Sequence, residues 1–175
     1  GNSSGGWMSL MLASTAAPKV VPEVDLHGSL GTPVFRKEAV HVACCIDFYG
    51  PTDFLKMDEQ NLPDAKITHN DERSPESKVM GFPIQTQPDV CKRAHPVTYV
   101  HESMPPTLVV HGKEDLMVPF GQSVLLVEKL KELGVKHSFV EIDGAGHGGP
   151  EFLTEEIADR VVAWLDEHSP PKASA

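Results

Sequence analysis

Pro105 and Pro106 lead into Thr107-Leu108-Val109-Val110-His111-Gly112, and this short run narrows the fold more than any other feature of the chain. It is too brief for a buried helix and is apolar at consecutive positions, not alternate ones. A run of that kind is a strand buried on both faces, which belongs in a parallel sheet covered by helices. Residues 39–49 read the same way: Val40, Val42, Ile46 and Phe48 sit in a short run that stops at Gly50-Pro51. Residues 136–142 make a third strand. Helices are predicted between and around them. Residues 4–16 are small and apolar on every side, the mark of a buried helix. After Pro119, which can open a helix, Phe120, Val124, Val127 and Leu130 fall on one face and Gly134 ends it. A last helix carries Leu153, Ile157, Val161, Trp164 and Leu165. Strands alternating with helices imply an α/β fold: a parallel sheet, right-handed crossovers and three layers.

Two stretches fall outside that alternation. Residues 53–104 contain Pro63, Pro75, Pro83, Pro88 and Pro96 and keep no long period, so they read as a lid-like excursion holding short helices near Glu76–Val79 and residues 88–94. Residues 17–38, with Pro18, Pro22, Gly28 and Gly31, read as a loop, and residues 169–175 as a disordered tail. The 175 residues suit one domain. Aromatic residues are only 6% of them, so Val, Leu and Ile must supply most of the core.

The formal charge of −10 argues against nucleic acid or an anionic membrane surface as the main partner. No apolar run approaches membrane-spanning length, and no segment reads as a signal peptide. Cys44, Cys45 and Cys91 lack metal or redox spacing and read as free thiols, with Cys44 and Cys45 on opposite faces of a strand. His41, His111 and His137 have no acidic or thiolate partner at ligand spacing, so no metal is expected. His111 is expected to pack beneath the loop that follows its strand. His95 and His101 either line a substrate pocket or lie on the surface.

Three segments can carry chemistry. Gly1-Asn2-Ser3-Ser4-Gly5-Gly6 contains G-x-S-x-G, which sets a serine on a sharp strand-to-helix turn with its hydroxyl exposed at a helix N-terminus. The amide of Ser4 can then face an oxyanion. A glycine- and serine-rich terminus is the plain alternative, but the apolar helix that follows is the context the motif requires. Asp115 stands just past the second strand, at the edge where open α/β sheets collect their catalytic groups; its plain alternative is a helix cap. His147, in Gly144-Ala145-Gly146-His147-Gly148-Gly149, follows the third strand and could equally be an ordinary loop histidine. Taken together, Ser3, Asp115 and His147 fall in the order and positions of a nucleophile, acid and base triad.

These segments, with Asp47-Phe48-Tyr49-Gly50-Pro51-Thr52-Asp53, Ser74-Pro75-Glu76-Ser77 and Ala94-His95-Pro96-Val97-Thr98-Tyr99, resemble the α/β-hydrolase superfamily over nearly the whole chain. Within it they resemble the carbohydrate-esterase branch related to feruloyl and acetylxylan esterases. The resemblance implies a serine carboxylesterase that works through an acyl-enzyme, without a cofactor, on short-chain or carbohydrate-linked esters. Asn2 stands where relatives often carry Asp. The family's His-Gly-Gly-Gly oxyanion loop lies upstream of the elbow, and His27-Gly28-Ser29-Leu30-Gly31 follows it instead, reading as a connection. Beginning at Gly1-Asn2-Ser3, the chain is expected to be the C-terminal part of such a domain, with the N-terminal strands missing. Two other readings stand beside this one: a prolyl-oligopeptidase-type serine peptidase and a non-catalytic truncated fragment.

Overall fold

A computed structural model describes residues 1–16 and 41–169. Its sheet has three parallel strands in the order β1 (Cys45–Phe48), β2 (Thr107–Gly112) and β3 (His137–Ile142). The six residues of β2 are all buried, as their unbroken apolar run requires of a central strand. β1 is four residues long, shorter than the run that predicted it. It stops at Tyr49, whose φ of 46° takes the chain out of the extended region. Gly1 and Asn2 continue the sheet on the far side of β1: Asn2 bridges Phe48 in parallel, and the Gly1 ammonium donates to the Ile46 carbonyl at 2.7 Å.

Helices cover both faces. α1 (Ser4–Thr15) lies on one, sharing a core of Leu10, Ala13, Cys45, Val109, Leu126 and Leu130 with the long helix that follows β2. On the other, Ile46, Leu108, Val110 and Val140 pack against Ile157, Val161 and Trp164 of the last helix. Cys44 faces this second core and Cys45 the first, as alternation along an extended chain demands. All three cysteines are free.

Residues 53–104 fold into short helical pieces, among them α2 (Met57–Gln60), α3 (Pro75–Met80) and α4 (Pro88–Cys91). Ser74 caps α3 by accepting the Ser77 amide at 3.0 Å, and Gly81 ends it in the left-handed region. The segment has its own core of Phe54, Met57, Ile84 and Cys91, which also takes in Val118 and Trp7. The excursion is therefore bolted to both α1 and the loop after β2.

Three details depart from the sequence reading. α1 is covered on one side only: Gly6, Leu10, Ala13 and Ser14 are buried, whereas Met8 is 64% exposed and Leu12 38%. α5 (Gly121–Glu132) begins two residues after Pro119 and buries Gln122, Ser123, Leu126 and Leu130 in place of Val124 and Val127. Two polar side chains have claimed that face, for reasons given below. α6 (Glu155–His168), capped by the Thr154 hydroxyl, buries Ile157 and Trp164 but leaves Leu165 partly exposed; Leu153 precedes it at 86% exposure. The expected loop of residues 17–38, with His27-Gly28-Ser29-Leu30-Gly31, lies outside the described residues, as does the tail from residue 170.

Candidate active site

The turn at Ser3 is built by the sheet. The Phe48 amide donates to the Gly1 carbonyl at 2.9 Å, and the Ser3 amide donates to the Phe48 carbonyl at 2.8 Å. Ser3 then takes φ 51° and ψ −123°, a conformation that a serine holds only when its surroundings impose it. The Trp7 amide donates to the Ser3 carbonyl at 3.0 Å and α1 begins. The hydroxyl of Ser3 makes no capping bond to the helix it precedes. Ser4 opens α1, so its amide belongs to the first-turn donors that helix geometry leaves without an intrahelical acceptor.

Two glycines allow α1 to cross close over the end of β1, Gly50 and, within α1, Gly6. A Cβ at Gly6 would stand 2.2 Å from Asp47 Oδ1 and 3.1 Å from Gly50 Cα, while one at Gly5 would meet nothing nearer than 3.8 Å. The second glycine of the G-x-S-x-G pattern is thus spatially free, and the constraint falls one residue later. Asp47, fully buried beside this crossing, accepts the Gly50 amide at 3.1 Å. Burial pushes its carboxyl up to about 7 against the opposing pull of that amide.

Asp115 follows β2. Its Oδ1 accepts the Met117 and Val118 amides at 2.8 and 2.9 Å, so the carboxylate is tied to its own loop. Its Oδ2 lies 2.7 Å from His147 Nδ1 and 3.2 Å from His111 Nε2. Burial alone would raise the carboxyl, but the bonds from His111, His147, Val118 and Met117 outweigh it and hold Asp115 below the ordinary carboxylate range. The group is an anion that is fully enclosed, with its charge shared among four donors.

His147 completes the line. A carboxylate only accepts, so Nδ1 donates to Asp115, and the bare Nε2 faces Ser3 Oγ at 2.9 Å. The loop carrying His147 reaches this place because β2 ends in Gly112. A Cβ at Gly112 would stand 2.3 Å from the Ala145 carbonyl and 2.6 Å from that of Gly146. The Glu114 amide donates to the Ala145 carbonyl at 2.9 Å, joining the aspartate loop to the histidine loop. The structure therefore brings all three sequence-predicted residues, Ser3, Asp115 and His147, into one hydrogen-bonded row at the C-terminal edge of the sheet.

The neighbourhood holds one residue that the sequence placed, His111, and three that it did not, Ser123, Gln122 and Tyr49. His111, expected beneath the Asp115 loop, is there at 0% exposure. Its Nε2 faces two acceptors, the Asp115 carboxylate at 3.2 Å and the Val118 carbonyl at 3.0 Å, and so donates. Nδ1 then accepts from the Ser123 hydroxyl at 2.7 Å. Ser123 on α5 has no sequence signal beyond being a polar residue in a helix. Its neighbour Gln122 is the other polar occupant of that buried face. Gln122 Oε1 accepts the Thr52 and Asp53 amides, each at 2.7 Å, while its amide group donates to Gln60. Tyr49 ranks with them: its ring centroid lies 4.6 Å from that of His147.

His95 is buried at 1% exposure. The sequence allowed a pocket-lining or a surface position, and neither describes a ring enclosed between two helical pieces. Nδ1 pairs with Asp53 at 3.2 Å and Nε2 accepts the Phe54 amide at 3.2 Å. Burial lowers its proton affinity, with Asp53 opposing. It braces the excursion next to Trp7, whose indole donates to the Ala94 carbonyl at 2.6 Å. His137 bonds the Val135 carbonyl at 2.7 Å. Among the buried thiols, Cys45 and Cys91 are pushed up to about 12, mainly by burial, so neither offers a thiolate near neutral pH.

A parallel sheet with helices on both faces, carrying Asp115 after β2, His147 after β3 and Ser3 after the segment that bridges β1, has the arrangement of an α/β-hydrolase fold. The chain belongs to the BD-FAE family, which it matches over residues 1–130. It is 36% identical over 135 residues to the esterase LipQ of Mycobacterium tuberculosis, a match covering 75% of this chain and 29% of that protein. With the probable carboxylic ester hydrolase LipM of the same organism it is 26% identical over 182 residues, covering 98% of this chain and 38% of LipM. The chain thus spans well under half the length of these relatives. Among solved structures, a truncated form of a carbohydrate esterase from gut microbiota superposes with a TM-score of 0.79 at 30% identity, over 98% of this chain and 59% of that one. An acylaminoacyl peptidase from Pyrococcus horikoshii superposes with a TM-score of 0.66 at 15% identity, covering 100% of this chain and 24% of that one, which is a likeness of fold.

Proposed function

We propose that this chain carries the catalytic triad of a carboxylic ester hydrolase, with Ser3 as nucleophile, His147 as general base and acid, and Asp115 as the orienting anion. The observation that carries the reading is the row Ser3 Oγ, His147 Nε2, His147 Nδ1 and Asp115 Oδ2, spaced at 2.9 and 2.7 Å. The named esterases among its relatives support the choice of an ester bond. The carbohydrate-esterase neighbour supports carbohydrate-linked esters, with simple short-chain esters as the other substrate class.

Ser3 Oγ attacks the ester carbonyl carbon as its proton passes to His147 Nε2. The new negative charge on the carbonyl oxygen is met by the Ser4 amide at the N-terminus of α1. The imidazolium formed is held in place by Asp115, which stays ionised throughout. His147 returns the proton to the leaving alkoxide, so an alcohol departs and the acyl group remains on Ser3. Water then attacks the acyl-enzyme with His147 taking its proton, and the acid is released as Ser3 recovers its hydrogen.

Hydrolysis of p-nitrophenyl acetate and of an acetylated xylo-oligosaccharide, by the chain and by Ser3→Ala, tests the reading. Ser3→Ala is expected to lose at least about 10³-fold in kcat. Equal rates for the two proteins would remove Ser3 from the reaction. Cleavage of a proline-containing peptide in preference to both esters would move the assignment to a peptidase.

A further inference from the structure

Tyr49 is placed where its backbone costs energy. Its φ of 46° is a left-handed conformation, which a bulky aromatic residue adopts only when the surrounding structure holds it there. The strain is fixed by β2, whose Val110 carbonyl accepts the Tyr49 amide at 2.9 Å. The reward is the position of the ring, which is buried at 8% exposure. Its centroid stands 4.6 Å from the His147 imidazole with a 58° tilt, 4.9 Å from Phe152 edge-on, and 6.3 Å from His111. Its hydroxyl lies against the backbone at Gly148, where an added Cβ would stand 3.1 Å away. The ring therefore fills the space between the end of β1 and the loop that carries His147, with Phe152 behind it.

That placement matters when charge appears. His147 becomes an imidazolium only as Ser3 is deprotonated, and an aromatic ring within about 6 Å attracts a cation through the negative potential of its face. Among the described residues, Asp115 bonds one nitrogen of His147, Ser3 faces the other, and this ring packs against the imidazole. We propose that Tyr49 is a positioning residue of the triad: its ring fixes the His147 imidazole between Asp115 and Ser3 and stabilises the imidazolium that forms as the serine attacks. This rests on the esterase reading above and adds to it a residue that acts on the charged state of the base.

The test separates ring charge from ring shape. Tyr49 is replaced by phenylalanine, then by 4-fluoro-, 3,5-difluoro- and pentafluorophenylalanine, which hold the volume nearly constant while draining negative potential from the face. Steady-state hydrolysis of p-nitrophenyl acetate is measured for each, and Ser3 labelling by a fluorophosphonate is followed in the wild type. Tyr49→Phe is expected to keep kcat within about twofold. The fluorinated series is expected to fall stepwise, to about tenfold below wild type, with KM unchanged. Tyr49→Leu, which lacks the ring, should fall at least as far if it folds by circular dichroism. A flat fluorine series, or a loss in KM alone, overturns the role of Tyr49 and leaves the triad standing. Failure of Ser3 to label in the wild type overturns the triad and Tyr49 together.

Discussion

Asp115 is held by two histidines, and only one of them faces the serine. His111 and Ser123 lie behind the carboxylate at 0% exposure, so their bonds are made in a medium where a missing partner is costly. His111→Asn should lower kcat for ester hydrolysis by about 10- to 100-fold with little change in KM, through misplacement of Asp115 and hence of His147. Ser123→Ala strands Nδ1 of the buried ring and should cost about 1–3 kcal/mol of stability, read from urea denaturation. An unchanged kcat in His111→Asn would reduce that residue to packing. At this scale the sequence was partly legible. Asp115 was legible from its place beyond a strand, and His147 from standing beyond another among glycines. Ser123 and Tyr49 did not, because neither type is unusual in a helix or at a strand end, and what distinguishes them is a neighbour more than ten residues away.

The elements show where pattern and packing part company. β2 was legible in full, since only a central strand tolerates six consecutive buried positions. α5 was legible as a helix but not in its rotation. Periodicity selects the most apolar face, whereas the structure turns Gln122 and Ser123 inward to bind Thr52, Asp53 and His111. Buried hydrogen bonds that hold a loop and a histidine in place outrank two valines that can stay half-covered. The crossing of α1 over β1 carries its own prediction. Gly6→Ala forces a methyl onto Asp47 Oδ1 and the Gly50 backbone and should destabilise the fold by about 1–3 kcal/mol. Gly5→Ala, which makes only an ordinary contact with Asn2 Oδ1 at 3.8 Å, should be nearly neutral, so thermal melts of the two variants read the difference directly. Equal Tm values would show that the crossing relaxes at no cost.

For the molecule as a whole, two buried carboxyls pull stability in opposite directions with pH. Asp47 is raised to about 7, so its contribution is full below the ordinary aspartate pKa of about 4 and is lost as pH rises through 7. Asp115 is lowered, so its contribution is full above about pH 4 and is lost as the solution becomes more acid. Asp47→Asn should remove the first slope: the Tm of the variant relative to wild type should climb between about pH 4 and 7 and level off above that. A constant difference across that range would mean that Asp47 ionises as freely in the fold as in the unfolded chain. The parallel α/β architecture could be read from the residues alone, because consecutive apolar strands and amphipathic helices have few other ways to bury their surface. The loops of Asp115 and His147 were legible as well, because both follow strands written in the pattern, whereas Ser3 was legible from G-x-S-x-G and the helix after it. It took the folded chain to show that Gly6 and not Gly5 admits the crossing, that α5 turns two polar side chains inward, and that Tyr49 accepts a strained backbone to lie against His147. Those choices depend on contacts between segments far apart in the chain, and local periodicity carries no information about them.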